Sequence, residues 1–163
     1  VILAQGGRFG GWSLYLQDGK PTYLYNYVGL EPYKVQAPSA LPAGKSTIRM
    51  NFDYDGGGVG KGGTASILVN GKQVASGRID RTQMAIFSAD ETTDIRYESG
   101  TTVTPDHTAR SSRFTGKTHR LHLAAGPHDH DVVSVINESV VTHPTLRIAI
   151  RSTASTAVAA TST

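Results

Sequence analysis

The stretch from Ser46 to Ile79 constrains the fold of this 163-residue chain more than any other. Its first half alternates polar residues with the apolar residues Ile48, Met50, Phe52 and Tyr54. That period of two is typical of a strand with one buried and one solvated face. Further along, Asn70-Gly71 is the pair that a two-residue type I′ turn requires, because both turn positions need a positive φ angle. The stretch therefore predicts three consecutive antiparallel strands and no helix.

Shorter strand candidates on both sides extend this prediction to the whole chain. They are residues 1–4, 12–17, 22–28, 33–37, 101–104 and 146–150. Turn residues such as Asp18-Gly19 separate them. Many short strands joined by tight turns close most readily as two packed sheets. We therefore expect an all-β fold, an antiparallel β-sandwich of jelly-roll or laminin-G (concanavalin-like) type.

The length of the chain fits one domain, which we expect over residues 1–151. The remaining residues, 152–163, are small and low in complexity, and we expect a disordered tail there. The β-branched run 131–141 fits neither the strand period nor the helix period cleanly. Because the chain opens at Val1, directly on apolar residues, we expect it to be a processed or excised piece of a longer protein.

Composition excludes several classes of function. There is no cysteine, so disulfides, thiolate metal sites and a cysteine nucleophile are excluded. The net charge of +3 lacks the dense Lys and Arg clusters of nucleic-acid-binding proteins, so we expect no nucleic-acid partner. No apolar run approaches the roughly 20 residues of a membrane helix, so we expect no membrane partner. The G-x-S-x-G and H-E-x-x-H signatures of common hydrolases are also missing.

A stripe of aromatic residues is the main candidate for a ligand surface. Stacked rings suit a sugar, and nearby arginines suit a sulfated glycan. The candidate ligand-binding residues are Trp12, Tyr15, Tyr23, Tyr25, Tyr27, Arg110 and Arg113. Tyrosine is also favoured in strands generally, where its ring covers the edge of a core. Both interpretations stay open at this stage.

Acidic and histidine residues in the second half supply candidate metal ligands. Asp90, Glu91 and Asp94 offer the oxygen atoms that Ca²⁺ prefers, although their spacing matches no EF-hand loop. His128 and His130 lie on one side of an extended segment, but two imidazoles leave a zinc site incomplete. A polar turn is the simpler interpretation of both groups, so a metal site remains an open question.

The glycine-rich run DGGGVGKGG at 55–63 suggests a phosphate-binding loop at first sight. It lacks the leading Gly and the trailing Ser or Thr of a Walker A motif. It also lies between two predicted strands, so no helix N-terminus follows it. We therefore expect a long, flexible hairpin loop rather than a nucleotide site.

Three segments of the chain carry a resemblance to a known family. They are GGRFGGWSLYLQDGKPTYLYNYVGLEPYKV at 6–35, LPAGKSTIRMNFDYDGGGVGKGGTASILVNGKQVASGRIDRTQ at 41–83, and FSADETTDI at 87–95. A G-T-x-V segment follows at 100–103. With these segments the chain resembles the C-terminal region of large bacterial arylsulfatases. The resemblance continues more weakly to about Arg151.

The resemblance implies an all-β module attached to an N-terminal α/β catalytic domain that hydrolyses sulfate esters. The nucleophile of that family is a formylglycine made from a C/S-x-P-x-R motif, beside a divalent cation held by Asp and Asn. The motif does not occur in this sequence, so neither a catalytic residue nor a cofactor is carried over.

We therefore expect the C-terminal accessory domain of an arylsulfatase, a sulfuric ester hydrolase, and expect the isolated chain to be inactive. Its expected partner is the catalytic domain of the same parent protein, in the bacterial cytoplasm or periplasm. Two alternatives stay open: a carbohydrate- or sulfated-glycan-binding module, and a structural or oligomerisation domain.

Overall fold

The described part of the chain contains ten β-strands, joined by turns and loops. The computed structural model describes residues 1–84, 87–88, 92–125 and 145–154, and these contain no helix. The strands are β1 (Leu3–Gly7), β2 (Gly10–Gln17), β3 (Lys20–Tyr27), β4 (Glu31–Gln36), β5 (Gly44–Tyr54), β6 (Gly63–Val69), β7 (Lys72–Ile79), β8 (Thr93–Ile95), β9 (Lys117–Ala125) and β10 (Thr145–Ala154). Within the described ranges, no helix is long and apolar enough to cross a membrane.

The strands form two five-stranded antiparallel sheets. The first sheet has the order β4-β3-β2-β1-β8, and the second has the order β7-β6-β5-β10-β9. In each sheet, consecutive strands form a meander, and a strand from later in the chain pairs with the first strand of the meander. Strand β8 pairs with β1 in the first sheet, and β10 pairs with β5 in the second. Strand β9 then pairs with β10 at the edge of the second sheet. Strands β3 and β4 pack against β6 and β7 of the other sheet. The prediction of an antiparallel β-sandwich is confirmed.

The core lies between the sheets. The first sheet contributes Trp12, Leu14, Tyr23, Tyr25 and Val35, and the second contributes Ile48, Met50, Phe52, Ala65, Ile67 and Ile79. These side chains recur at every second position, so the alternation of the sequence places them all on the inner faces. Burial of this set is the main stabilising contribution to the sandwich.

The central meander β5-β6-β7 forms as predicted. Asn70 and Gly71 turn the chain between β6 and β7 with φ angles of 51° and 85°. The side chain of Asn70 also accepts a hydrogen bond from the backbone N–H of Thr47 at 2.8 Å. The turn is therefore tied to the start of β5 as well as to its own hairpin.

The predicted strand at 101–104 is wrong, because this segment belongs to a loop over the outer face of the first sheet. We call residues 96–116 the cover loop. Its Val103 packs with Ala4, Tyr15 and Leu24, which point away from the main core. The Asn26 amide donates to the carbonyl of Val103 at 3.0 Å. The cover loop therefore packs its side chains on the outer face of the first sheet and does not add a strand to that sheet.

The C-terminal region differs in part from the expected boundary at residue 151. Strand β10 continues to Ala154 and pairs with β5 over its whole length. The run 131–141 and residues 155–163 lie outside the described residues.

Candidate functional site

Four of the predicted aromatic ligand residues are buried. Trp12, Tyr23 and Tyr25 belong to the main core, and Tyr15 lies under the cover loop. These four rings therefore do not form an exposed platform, and a ligand role for them stays a prediction. Their rings contribute apolar contact area to the fold instead.

Burial explains the chemistry of these tyrosines. It raises the pKa of Tyr23 and of Tyr25 well above the ordinary phenol value, so both stay neutral. The Tyr25 hydroxyl accepts the backbone N–H of Gln83 at 2.8 Å. Tyr25 thus links the first sheet to the segment that follows β7.

The other three predicted ligand residues are at least partly exposed. Tyr27 is half-buried, with the Arg81 guanidinium 4.8 Å from its ring centre. Arg113 is exposed and lies 5.6 Å from the ring centre of Tyr97. Arg110 is exposed on the cover loop. A ligand role for these three stays a prediction.

The candidate metal ligands do not converge in the described part of the chain. Asp90, Glu91, His128 and His130 lie outside the described residues. The Asp94 carboxylate accepts two hydrogen bonds from Ser99, from its N–H at 2.6 Å and its hydroxyl at 2.8 Å. Within the ranges that the structure describes, no three His, Asp or Glu side chains form a group that suits a metal.

A cavity of about 440 Å³ lies between the β2–β3 turn and the cover loop. We call it the polar cavity, because its walls include Tyr15, Asp18, Asp106, His107, Ser111 and Arg113. Two of the predicted ligand residues, Tyr15 and Arg113, therefore meet at one site. Tyr15 is on β2, which with the β2–β3 turn forms one wall of the cavity, and the cover loop forms the other wall.

Asp106 is held in place by two donors. The Tyr15 hydroxyl donates to its Oδ2 atom, and Lys34 Nζ lies 2.6 Å from the same oxygen. Burial alone would raise the pKa of Asp106, but these two hydrogen bonds outweigh it and lower the pKa below its ordinary value. Burial, with the hydrogen bond to Asp106, raises the pKa of Tyr15. At neutral pH, Tyr15 is therefore a neutral donor to a carboxylate.

A second pair lies deeper in the wall. Glu98 is only 2% exposed, and its Oε2 accepts the backbone N–H of Val103 at 3.0 Å. His107 Nε2 lies 3.3 Å from the same oxygen, and the His107 ring meets Tyr15 edge-on at 5.1 Å. The second carboxylate oxygen, Oε1, has no hydrogen-bond partner among the residues described.

The Asp106 network predicts a loss of stability in acid. Asp106→Asn should lower the free energy of unfolding by about 1 kcal/mol near neutral pH, and less as the pH falls below about 4. The sign follows from the lowered folded-state pKa: the contribution exists while the carboxyl is ionised and is lost on protonation. Urea unfolding of both proteins near neutral pH and near about pH 3 measures this difference.

The matched control is Asp18→Asn, in an exposed turn at the same cavity. Its difference from the unmodified chain should stay small at both pH values, because no described residue pairs with Asp18. An Asp106→Asn difference that is the same at both pH values would contradict the proposed role of the ionised carboxylate.

The end of the sandwich opposite the polar cavity is formed by loops that carry exposed apolar side chains. We call it the loop end: the turns at 8–9 and 28–30 from the first sheet, and segments 55–62 and 80–84 from the second. The Arg81 guanidinium binds Glu31 at 2.7 Å, and the Thr82 hydroxyl donates to the Lys61 carbonyl at 2.8 Å. These contacts join segment 80–84 to the start of β4 and to segment 55–62.

Large apolar side chains project from the loop end. Leu30 is 83% exposed, Met84 69%, Phe9 61% and Val59 54%. Phe9 lies beside the 28–30 turn, because the Cα of Phe9 is only 3.6 Å from where a Cβ on Gly29 would lie. Met84 likewise lies beside Gly60, so the exposed apolar side chains of the loop end occur in two neighbouring pairs of segments.

The glycine-rich segment is anchored at its base. The Tyr54 hydroxyl donates to the carbonyl of Gly58 and accepts the backbone N–H of Lys61 at 2.9 Å. Gly56, Gly57 and Gly58 all have positive φ angles, and added Cβ atoms there would touch nothing within 4 Å. The segment connects β5 to β6, as a hairpin loop should, and it carries Val59 at its exposed tip.

The sequence-based predictions included neither the apolar loop end nor the polar cavity. Phe9, Leu30 and Val59 each lie beside a glycine in a turn, and a large apolar residue in such a place is the signal that was available. The polar cavity leaves no local signal. Tyr15 and Asp106 are 91 positions apart, and only the path of the cover loop brings them together.

Neither the protein-family models, the curated proteins nor the solved structures give a match to this chain.

Proposed function

We propose that this chain is a non-catalytic accessory domain of a larger arylsulfatase-type sulfuric ester hydrolase, and that it docks onto the catalytic domain through its loop end. The resemblance of segments 6–35, 41–83 and 87–95 supports the family, and the all-β fold agrees with it. The exposed apolar side chains of the loop end support the docking surface.

Exposed apolar patches with polar rims mark interaction surfaces in soluble domains. Leu30, Met84, Phe9 and Val59 form the apolar part of the loop end. Burial of each of these side chains against a partner would contribute roughly 1.5–3 kcal/mol before the costs of association. A second domain of the same parent protein is held nearby by the chain itself, so this gain suffices for stable docking.

The charges around the patch favour a protein partner. Arg81 pairs with Glu31, and Arg78 pairs with Asp55 through two hydrogen bonds. The other cations of the loop end are Arg8 and Lys61, both exposed, and Asp80 lies 3.7 Å from Arg78. The rim therefore carries charges of both signs rather than the dense positive charge that binds nucleic acid or anionic lipid. A polar rim of mixed charge around apolar contacts is typical of an interface between protein domains.

The docking is tested with an arylsulfatase whose own C-terminal region has been deleted. We expect the 163-residue chain to form a one-to-one complex with it in sedimentation velocity. Leu30→Asp should weaken this complex at least about tenfold, because it places a charge in an apolar contact. The chain alone should release no nitrophenol from nitrophenyl sulfate.

The control is Ile95→Asp, which changes another exposed apolar residue, 51% exposed on β8 and outside the loop end. It should leave the complex unchanged. Three results would overturn the proposal: no complex, equal weakening by both substitutions, or hydrolysis by the chain alone. A dimer of the chain alone that Leu30→Asp dissociates would assign the loop end to self-association instead.

A further inference from the structure

We propose that the polar cavity binds a neutral sugar, whose hydroxyl groups are held between the Asp106 carboxylate and the Arg113 guanidinium. This site lies at the end of the sandwich opposite the loop end, beside the β2–β3 turn. Val1 also lines this cavity, and the sugar test and the docking test have separate readouts, so failure of one does not decide the other.

The cavity has the size and the walls of a small-ligand site. Its volume of about 440 Å³ lies within the usual range of roughly 300–1,000 Å³ for ligand pockets. The β2–β3 turn with Asp18 and Gly19 forms one wall, and the cover loop forms the other. A monosaccharide fits within this volume.

Asp106 is a prepared acceptor for hydroxyl groups. Tyr15 and Lys34 both bind its Oδ2 atom, and no described residue donates to Oδ1. A carboxylate oxygen accepts two hydrogen bonds, so Oδ1 remains able to accept from a ligand. Because its two neighbours fix the carboxylate, binding costs little side-chain entropy.

Arg113 is the matching donor. Its guanidinium lies over the Tyr97 ring and forms no ion pair with the residues that the structure describes. The guanidinium carries five N–H donors in a fixed plane, so it can donate to two adjacent sugar oxygens. A carboxylate and a guanidinium in one cavity suit the vicinal hydroxyls of a sugar, each of which donates and accepts.

Charge decides between a neutral sugar and an anion. Three carboxylates, those of Asp18, Asp106 and Glu98, lie in or behind the walls. Three permanent cations lie there as well: Lys34, which is paired with Asp106; Arg96, which donates to the carbonyls of Phe114 and Gly116; and Arg113. A sulfate or phosphate would therefore meet three carboxylates and cations of which two already have partners, whereas a neutral polyol meets no such repulsion.

The cover loop is braced from within. The Ser112 hydroxyl accepts the backbone N–H of Glu98 at 2.9 Å and donates to the carbonyl of Ala109 at 2.7 Å. Ser111 closes a turn with Thr108 through its backbone N–H at 3.0 Å. The wall that carries Asp106 and Arg113 is therefore ordered before a ligand arrives.

The test uses the full chain and the methyl glycosides of glucose, galactose, mannose and N-acetylglucosamine. Saturation-transfer NMR should detect binding of at least one of the four. Arg113→Gln should weaken that binding by about tenfold or more, because hydrogen bonds from a charged donor are lost. Arg110→Gln is the matched control: Arg110 is also exposed on the cover loop but does not line the cavity.

Thermal unfolding of both variants provides the check on folding, and both should melt with the unmodified chain. The proposal is overturned if none of the four glycosides binds, or if both variants weaken binding equally. It is also overturned if inorganic sulfate binds and competes with the sugar at the same site. Asp106→Asn should likewise reduce sugar binding. A loss in both Asp106→Asn and Arg113→Gln would distinguish binding inside the cavity from a contact with Arg113 alone.

Discussion

Gly6→Ala should destabilise the fold by roughly 2–5 kcal/mol, far more than Gly57→Ala. The two glycines have nearly equal φ angles, 79° and 77°. A Cβ at Gly6 would lie 2.3 Å from the carbonyl oxygen of Gly10 and 2.9 Å from the Cα of Gly11, both backbone atoms. A Cβ at Gly57 would meet nothing within 4 Å. Comparing the two variants therefore separates the destabilisation caused by backbone crowding from that caused by the left-handed conformation alone.

Urea unfolding followed by the fluorescence of the single tryptophan measures both variants. Gly57→Ala should cost about 1–2 kcal/mol, the usual penalty of a side chain in the left-handed region. Equal losses at the two positions would show that the close approach of β1 and β2 does not limit the side chain at Gly6.

Trp12→Ala should lower the free energy of unfolding by roughly 3–5 kcal/mol. Trp12 is 3% exposed and lies 6.3 Å from the ring centre of Tyr23 in the core. At roughly 2–4 °C for each kcal/mol in a domain of this size, the melting temperature should fall by about 10 °C. Thermal unfolding followed by far-ultraviolet circular dichroism measures this change without the tryptophan signal.

The matched control for this experiment is Phe9→Ala, the removal of an equally aromatic but exposed side chain at the loop end. It should change stability by no more than about 0.5 kcal/mol. If Trp12→Ala were as mild as Phe9→Ala, Trp12 would belong to a surface and the sequence-based aromatic platform would return.

The strands of the central meander were predictable because their alternation is strong. Ile48, Met50 and Phe52 face the core on β5, and the Asn70-Gly71 turn determines the register of the next hairpin. The period of two fixed which residues share a face, including Tyr23 and Tyr25. It did not show which face is covered, since that depends on elements far away in the chain.

The errors have the same origin. On β1, β2 and β3 both faces are buried, so Tyr15 on the outer face does not belong to an exposed platform and instead packs under the cover loop. Segment 101–104 has strand-forming residues, yet packing of Val103 against that outer face overrides the local preference. The polar cavity depends on contacts between Tyr15 and Asp106, which no periodicity relates.

The place of β10 within the second sheet has a consequence for synthesis of the protein. This strand inserts between β5 and β9, although β5 precedes it by some hundred positions. On the ribosome, the meander β5-β6-β7 emerges long before the strand that covers its free side. Until then β5 presents unpaired backbone groups, so the nascent chain passes through a stage that is open to intermolecular pairing.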